Sequence, residues 1–157
     1  MSGFAEAPLE QSTNIAAALC AGDVARGLRR LLLAEGYSPI TEFTLSNGRR
    51  LDVAALGSDG TVLGIEIKVS VADLRADDKW PDYLPYCDLF YFAVPPAFPR
   101  HCLPDRTGLV IADRYGGEVV RPAPRYPLNA GRRRAFTLRF AQAAAERLTR
   151  VLDPHCI

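Results

Sequence analysis

Long hydrophobic runs are missing from this sequence. Its apolar stretches fall far short of the roughly 20 residues that cross a bilayer, so no membrane span is expected. Nor does a charged n-region precede an apolar h-region at the N-terminus, so no secretory signal is read and a cytoplasmic protein is expected. Net charge is nearly absent: 19 Lys and Arg oppose 18 Asp and Glu, leaving +1. Attraction to a polyanion must therefore come from local patches rather than from overall charge. The four cysteines, Cys20, Cys87, Cys102 and Cys156, show no CxxC spacing, which reads as reduced structural thiols. His101-Cys102 and His155-Cys156 are adjacent pairs, and neighbouring residues rarely both ligate a structural zinc. Internal repeats and low-complexity tracts are also lacking. What remains is an ordinary globular composition over 157 residues, 48% hydrophobic and 24% charged, enough for one domain with one good core. Residues 1–12 are expected to form a loose tail and 13–153 a single domain.

Apolar periodicity supplies the elements. Leu19, Val24, Leu28, Leu31 and Leu32 recur at helical spacing, so a helix is expected from Thr13 or Asn14 to Glu35, with Gly22 as a potential break. Arg26, Arg29 and Arg30 fall on its other face and are read first as solvated and second as substrate contacts. Three strands follow, Ile40–Leu45, Arg50–Leu56 and Thr61–Val69, separated by Ser46-Asn47-Gly48 and Ser58-Asp59-Gly60. Both turns have hairpin chemistry, because glycine supplies the positive φ they need. Ser70 and Asp73 look like the start of a helix of about ten residues stopped by Pro81. Asp88–Val94 is a continuous apolar run, the mark of a buried central strand. Short strands are expected at Gly108–Ala112 and Glu118–Arg121. After a Pro-rich linker, Phe136, Phe140, Ala143, Ala144, Leu148, Val151 and Leu152 define an amphipathic helix expected to pack on the sheet. This order of elements points to an α/β (α+β) fold, a central sheet flanked by helices.

Register arithmetic then brings charges together. With Ser58-Asp59-Gly60 as a three-residue loop, Asp52 lies opposite Glu66, with Cβ atoms about 4.5–5.5 Å apart. Lys68 is two residues further along the same face. Leu51, Val53, Ala55, Leu63, Ile65, Ile67 and Val69 are then expected to share the other face. A three-residue Ser46-Asn47-Gly48 loop places Glu42 opposite Asp52 and Phe43 opposite Leu51, whereas a two-residue loop would turn Glu42 toward the apolar side. Glu42, Asp52 and Glu66 are thus expected abreast on three strands.

Three neighbouring carboxylates repel one another, and a divalent cation relieves that repulsion. Hard oxygen ligands suit Mg²⁺ or Mn²⁺, which can activate a water beside a phosphate. Lys68 would sit near both, as base or as electrostatic stabiliser. Charge patterning alone leaves a second reading open, a structural ion-pair cluster in which Lys68, Arg49 or Arg50 satisfies the acids.

Asp52, a turn-containing spacer and Glu66-Ile67-Lys68 resemble the D…(D/E)xK core of the PD-(D/E)xK nuclease superfamily, although Leu51 stands where the motif has proline. The wider stretch is more specific. GRRLDVAAL, GIEIKVSVADLRADDKWPDYLPYCDLFYFAVP, GLVIADRYGGEVVR and AFTLRFAQAAAERL resemble the MmcB-type family of bacterial DNA-repair nucleases over roughly residues 23 to 150. The resemblance implies a restriction-endonuclease-like αβββαβ core with a mixed central sheet. It implies Asp52 and Glu66 as metal ligands with the Ile67 carbonyl as a third, Lys68 as catalytic lysine, and Mg²⁺ or Mn²⁺ as cofactor. Glu42 would be an additional acid, and Glu35 is the candidate where members take that acid from the first helix. The expected activity is metal-dependent endonucleolytic hydrolysis of DNA in repair, the substrate being single-stranded, branched or damaged. The alternative is a catalytically silent nucleic-acid-binding protein on the same fold. Arg49, Arg50, Lys79, Tyr83 and the run Arg132, Arg133, Arg134 are candidate nucleic-acid contacts. Trp80 is read first as a core aromatic and second as a stacking platform. Many superfamily members dimerise, which allows a homodimer here, and nothing in the chain demands one.

Overall fold

The structure, a computed structural model, describes residues 18–156. The expected tail at residues 1–12 lies outside that range. Eleven elements lie within it, six of them strands in a single sheet ordered β1 to β6. β1 (Tyr37–Thr44), β2 (Arg50–Gly57) and β3 (Val62–Ile67) form an antiparallel meander. β4 (Leu89–Val94) and β5 (Gly108–Ala112) add in parallel, and β6 (Gly117–Arg121) closes the far edge antiparallel to β5. The sheet is flanked by helices, as the order of elements led us to expect, and it is mixed, as the resemblance implied.

Two apolar layers sandwich the sheet. Helix α1 (Ala21–Ala34) buries Val24, Leu28 and Leu32 against Val53, Ala55, Leu63, Ile65 and Ile67. On the opposite face Phe90, Phe92 and Val62 meet the 3₁₀ segment Trp80–Tyr86 and helix α3 (Ala130–Leu152). Fully burying one such side chain stabilises by about 1.5–3 kcal/mol, so these two layers hold the site in place.

Both turns have the expected length. Leu45 N–H bonds the Arg49 carbonyl at 2.7 Å, and Gly57 N–H bonds the Thr61 carbonyl at 2.8 Å, so each loop holds three residues. Gly48 and Gly60 close them at φ +81° and +83°, a conformation a Cβ would strain. The register follows: Ala54 faces Gly64, and Phe43 faces Leu51.

Several expectations are corrected. Helix α1 begins at Ala21, because Asp23 accepts the Cys20 N–H at 3.1 Å and closes the first turn there. Residues 18–20 are not helical, Gly22 lies in the first turn rather than at a break, and 13–17 fall outside the described range. The helix after Ser70 is shorter than expected. Helix α2 (Val71–Ala76) starts where the Ser70 hydroxyl caps Asp73 N–H, but its C-cap Asp77 is extended. Leu51 leaves the face of Val53 and Ala55 and packs with Phe43 and Ala54 on the α3 side. Glu42, at φ +52°, interrupts the regular alternation opposite Asp52, so the apolar pattern slips by one residue. Finally, the apolar packing of α3 on the sheet ends near Ala143. Phe136 and Phe140 are buried, whereas Leu148, Val151 and Leu152 are 59–76% exposed.

Candidate active site

The meander places Asp52 at the start of β2 and Glu66 near the end of β3, just beyond the last ladder pair of Val53 and Ile65. Asp52 N–H donates to Glu66 Oε1 at 3.3 Å, and Ile67 N–H donates to Asp52 Oδ2 at 2.8 Å. The side chains therefore take over where backbone pairing stops. Lys68 follows the strand, and its Nζ stands 3.8 Å from Glu66 Oε2. Glu66 and Lys68 are only 4% and 5% exposed.

Such burial is costly for ionised groups. Burial, reinforced by the negative charge of Asp52, pushes the Glu66 carboxyl up to about 8. Asp52 is raised as well, by burial above all, with the Ile67 N–H opposing the shift. Lys68 behaves differently. Burial works against its ammonium, but Asp77, joined by Asp73 and Glu66, outweighs burial and holds the pKa above the usual lysine value. The Asp77 carboxylate lies 2.6 Å from Nζ and is itself fixed by Lys79 N–H at 3.0 Å. Lys68 is therefore a held ammonium, which favours electrostatic stabilisation over service as a base.

Glu42 does not join this cluster. Its left-handed backbone turns the side chain outward to Arg50, 2.7 Å away and exposed. Among the described residues, no three Asp, Glu, His or Cys side chains are placed together to hold a metal. The expected row of three acids is thus a pair, Asp52 and Glu66. Glu35 lies across the sheet, beside Leu63 and Ile65 on the α1 side. A two-carboxylate site remains a suitable donor set for a hard cation, because Mg²⁺ is commonly held by one or two carboxylates with waters and phosphate oxygens. Two acids with raised pKa values, Glu66 buried and Asp52 half-buried, have an incomplete set of counter-charges. The chemistry of this donor set suits such an ion.

The other candidates divide between structure and surface. Tyr83 is buried, stacks on Phe90 with ring centroids 6.0 Å apart and donates its hydroxyl to the Arg50 carbonyl at 3.2 Å. It supports β2 from beneath and is not a surface phosphate contact. Trp80 packs on Phe90 and Phe92, a core aromatic. Arg133 grips Asp88 through two bonds of 2.7 and 2.8 Å and is withdrawn from the surface role expected of it. Asp88 is fully buried and also accepts Val62 N–H and Leu128 N–H. Arg132 reaches the Pro85 carbonyl and lies 5.1 Å over the Tyr86 ring. Arg49 pairs with Asp82 at 2.7 Å, while Lys79 and Arg134 have exposed side chains. The sequence places Asp77 near the end of the strand bearing Glu66 but does not show its bond to Lys68, and it gives Asp88 no role. Asp88 carried a signal, a charge opening the apolar run DLFYFAV, whereas the extended turn that swings Asp77 to Lys68 left none.

Among the described residues no helix is long and apolar enough to cross a bilayer. No curated protein matches the chain. A solved structure, a protein of unknown function from Silicibacter pomeroyi, is similar at 42% identity with a TM-score of 0.85, over 87% of this chain and 94% of that one. The family model for DNA repair protein MmcB-like matches residues 9–155, nearly the whole sequence, and the chain belongs to the MmcB-like family of DNA repair proteins.

Proposed function

We propose that this protein is a metal-dependent DNA endonuclease that hydrolyses phosphodiester bonds during repair. The observation that carries the reading is the meeting of Asp52, Glu66 and Lys68 at one end of β2 and β3, two carboxylates with raised pKa values beside a held ammonium. Asp52 and Glu66, with the Ile67 carbonyl, would hold Mg²⁺ or Mn²⁺. The ion would supply Lewis acidity, lowering the pKa of a water and neutralising charge on a phosphate oxygen. Lys68, kept cationic by Asp77, stabilises negative charge that develops on the phosphate. Tyr83 and the Phe90 layer hold β2 and β3 rigidly beneath these groups.

A cleavage assay over single-stranded, branched and damaged DNA with Mg²⁺, Mn²⁺ or EDTA tests the proposal. Cleavage should require the metal, and Asp52→Asn and Lys68→Ala should each abolish it while DNA binding survives. Cutting that persists in both variants sinks the mechanism. A second reading, a catalytically silent DNA-binding protein on the same fold, is favoured by one observation: Glu42 is turned to Arg50, leaving two acids rather than three. Specific DNA binding without cleavage on any substrate, together with no Mn²⁺ binding, would select it.

A further inference from the structure

Among the described residues strand β1 is an edge of the sheet, and such an edge presents unpaired backbone groups. Here arginines of α3 reach it. Arg139 Nε donates to the Thr44 carbonyl at 2.8 Å, and Arg147 Nη2 donates to the Glu42 carbonyl at 2.8 Å, with its other nitrogen on Thr41. Phe136 and Phe140 fix the distance between helix and strand by packing on Phe43, with ring centroids 5.1 and 5.8 Å apart. Between them runs an open groove of about 290 Å³, whose polar lining includes Arg139, Gln142, Arg147, Arg150, Glu146 and Glu42.

The charge balance of this groove is uneven. Arg139 and Arg147 bond carbonyl oxygens, which leaves both guanidinium charges uncompensated, and among the described residues neither pairs with a carboxylate. Arg150 adds a third cation. Of the two acids, Glu42 is already paired with Arg50 at 2.7 Å. Guanidinium groups of this kind bind phosphate oxygens through paired N–H bonds. The groove also adjoins the acid pair: Glu42, one of its walls, lies between Thr41 and Phe43, whose partners Val53 and Leu51 flank Asp52, so the two sites share a border.

We propose that the β1–α3 groove is the track for the DNA backbone, with Arg139, Arg147 and Arg150 taking phosphates that flank the one at Asp52 and Glu66. The proposal rests on the nuclease reading for the identity of its polyanion. The arriving phosphate would also draw Arg50 away from Glu42, so the exposed ion pair at the border becomes a phosphate contact. Arg132, Arg133 and Arg134, the densest basic run in the sequence, are not its centre: Arg133 is committed to Asp88.

The test measures binding of short fluorescein-labelled single-stranded and duplex DNA in EDTA, with Asp52→Asn as the parent so that cleavage cannot intervene. Arg150→Glu and the double change Arg139→Gln with Arg150→Gln should weaken binding on every sequence. The slope of log affinity against log salt should fall by about 1 for each phosphate that a removed arginine had held. Glu146→Gln should tighten binding, a sign that loss of folding cannot mimic. Unchanged affinity and slope in the Arg150 variants overturn the groove while leaving the nuclease proposal intact. Binding through the groove without cleavage by the wild type keeps the groove and removes the nuclease. A parent that binds phosphatidylserine vesicles but no DNA overturns both.

Discussion

Two buried carboxylates of the sheet, Glu66 and Asp88, are treated in opposite ways by the same fold. Asp88 receives two backbone N–H groups and a bidentate arginine, and its carboxyl falls to about 2 despite burial. Glu66 receives one long backbone bond and a lysine 3.8 Å away, faces Asp52, and rises to about 8. A buried carboxyl with a complete set of partners is a structural fastening, while one left short of counter-charge has its ionised form disfavoured. Local composition does not separate them, since each is a single acid beside apolar residues, Glu66 within β3 and Asp88 just before β4.

The strongest way to break the comparison is Asp88→Ala. It strands Arg133 beside two unsatisfied N–H groups, and we expect a loss of about 3–5 kcal/mol by urea unfolding; a loss below about 1 kcal/mol would show that the fastening is ornamental. Glu66→Gln should act in the other direction. The folded pKa is raised, so the stability Glu66 contributes is complete below its unfolded value of 4.5 and is lost as pH rises through about 8. The variant should therefore gain on the wild type between pH 5 and pH 9, by on the order of a few kcal/mol, while losing Mn²⁺ binding. An unfolding series at the two pH values checks the sign.

A third outcome concerns acid. The Asp88 pKa is depressed, so its contribution is present above 3.8 and disappears as pH falls through about 2. Wild type should lose about 2 kcal/mol over that window, and Asp88→Asn should lack this component. The smallest effect is expected at Asp77→Asn. Lys68 loses its 2.6 Å anionic partner but keeps an amide oxygen as acceptor, so stability should fall by about 1 kcal/mol, and kcat should drop by about tenfold with KM little changed. An equal rise in KM would point to substrate binding rather than to positioning of Lys68.

Much of this arrangement could be read from the chain, and for identifiable reasons. Glycine in each turn and strict alternation through β3 determine both loop lengths, and these place Asp52 against Glu66. The same rule failed at Glu42, because alternation assumes an extended backbone and cannot register one left-handed residue. Its failure moved Leu51 across the sheet and Glu42 out of the acid cluster. Helical periodicity likewise finds an amphipathic stripe in α3 but does not say how far the sheet beneath it extends, so the exposure of Leu148 and Val151 was not visible. The role of Arg133 depended on a partner 45 residues away, a distance at which spacing carries no information.

Asp88 also bears on how the chain assembles. Its partners come from residues 62, 128 and 133, on β3, on the linker and on the first turn of α3. The carboxylate can be satisfied only after β4 has crossed to lie beside β3 and the linker has returned over their edge. Contacts of such long range form late and slow folding. The final helix thus works as a latch on assembly, and a growing chain that has not yet supplied Leu128 and Arg133 carries an unanswered charge at the foot of its central strand.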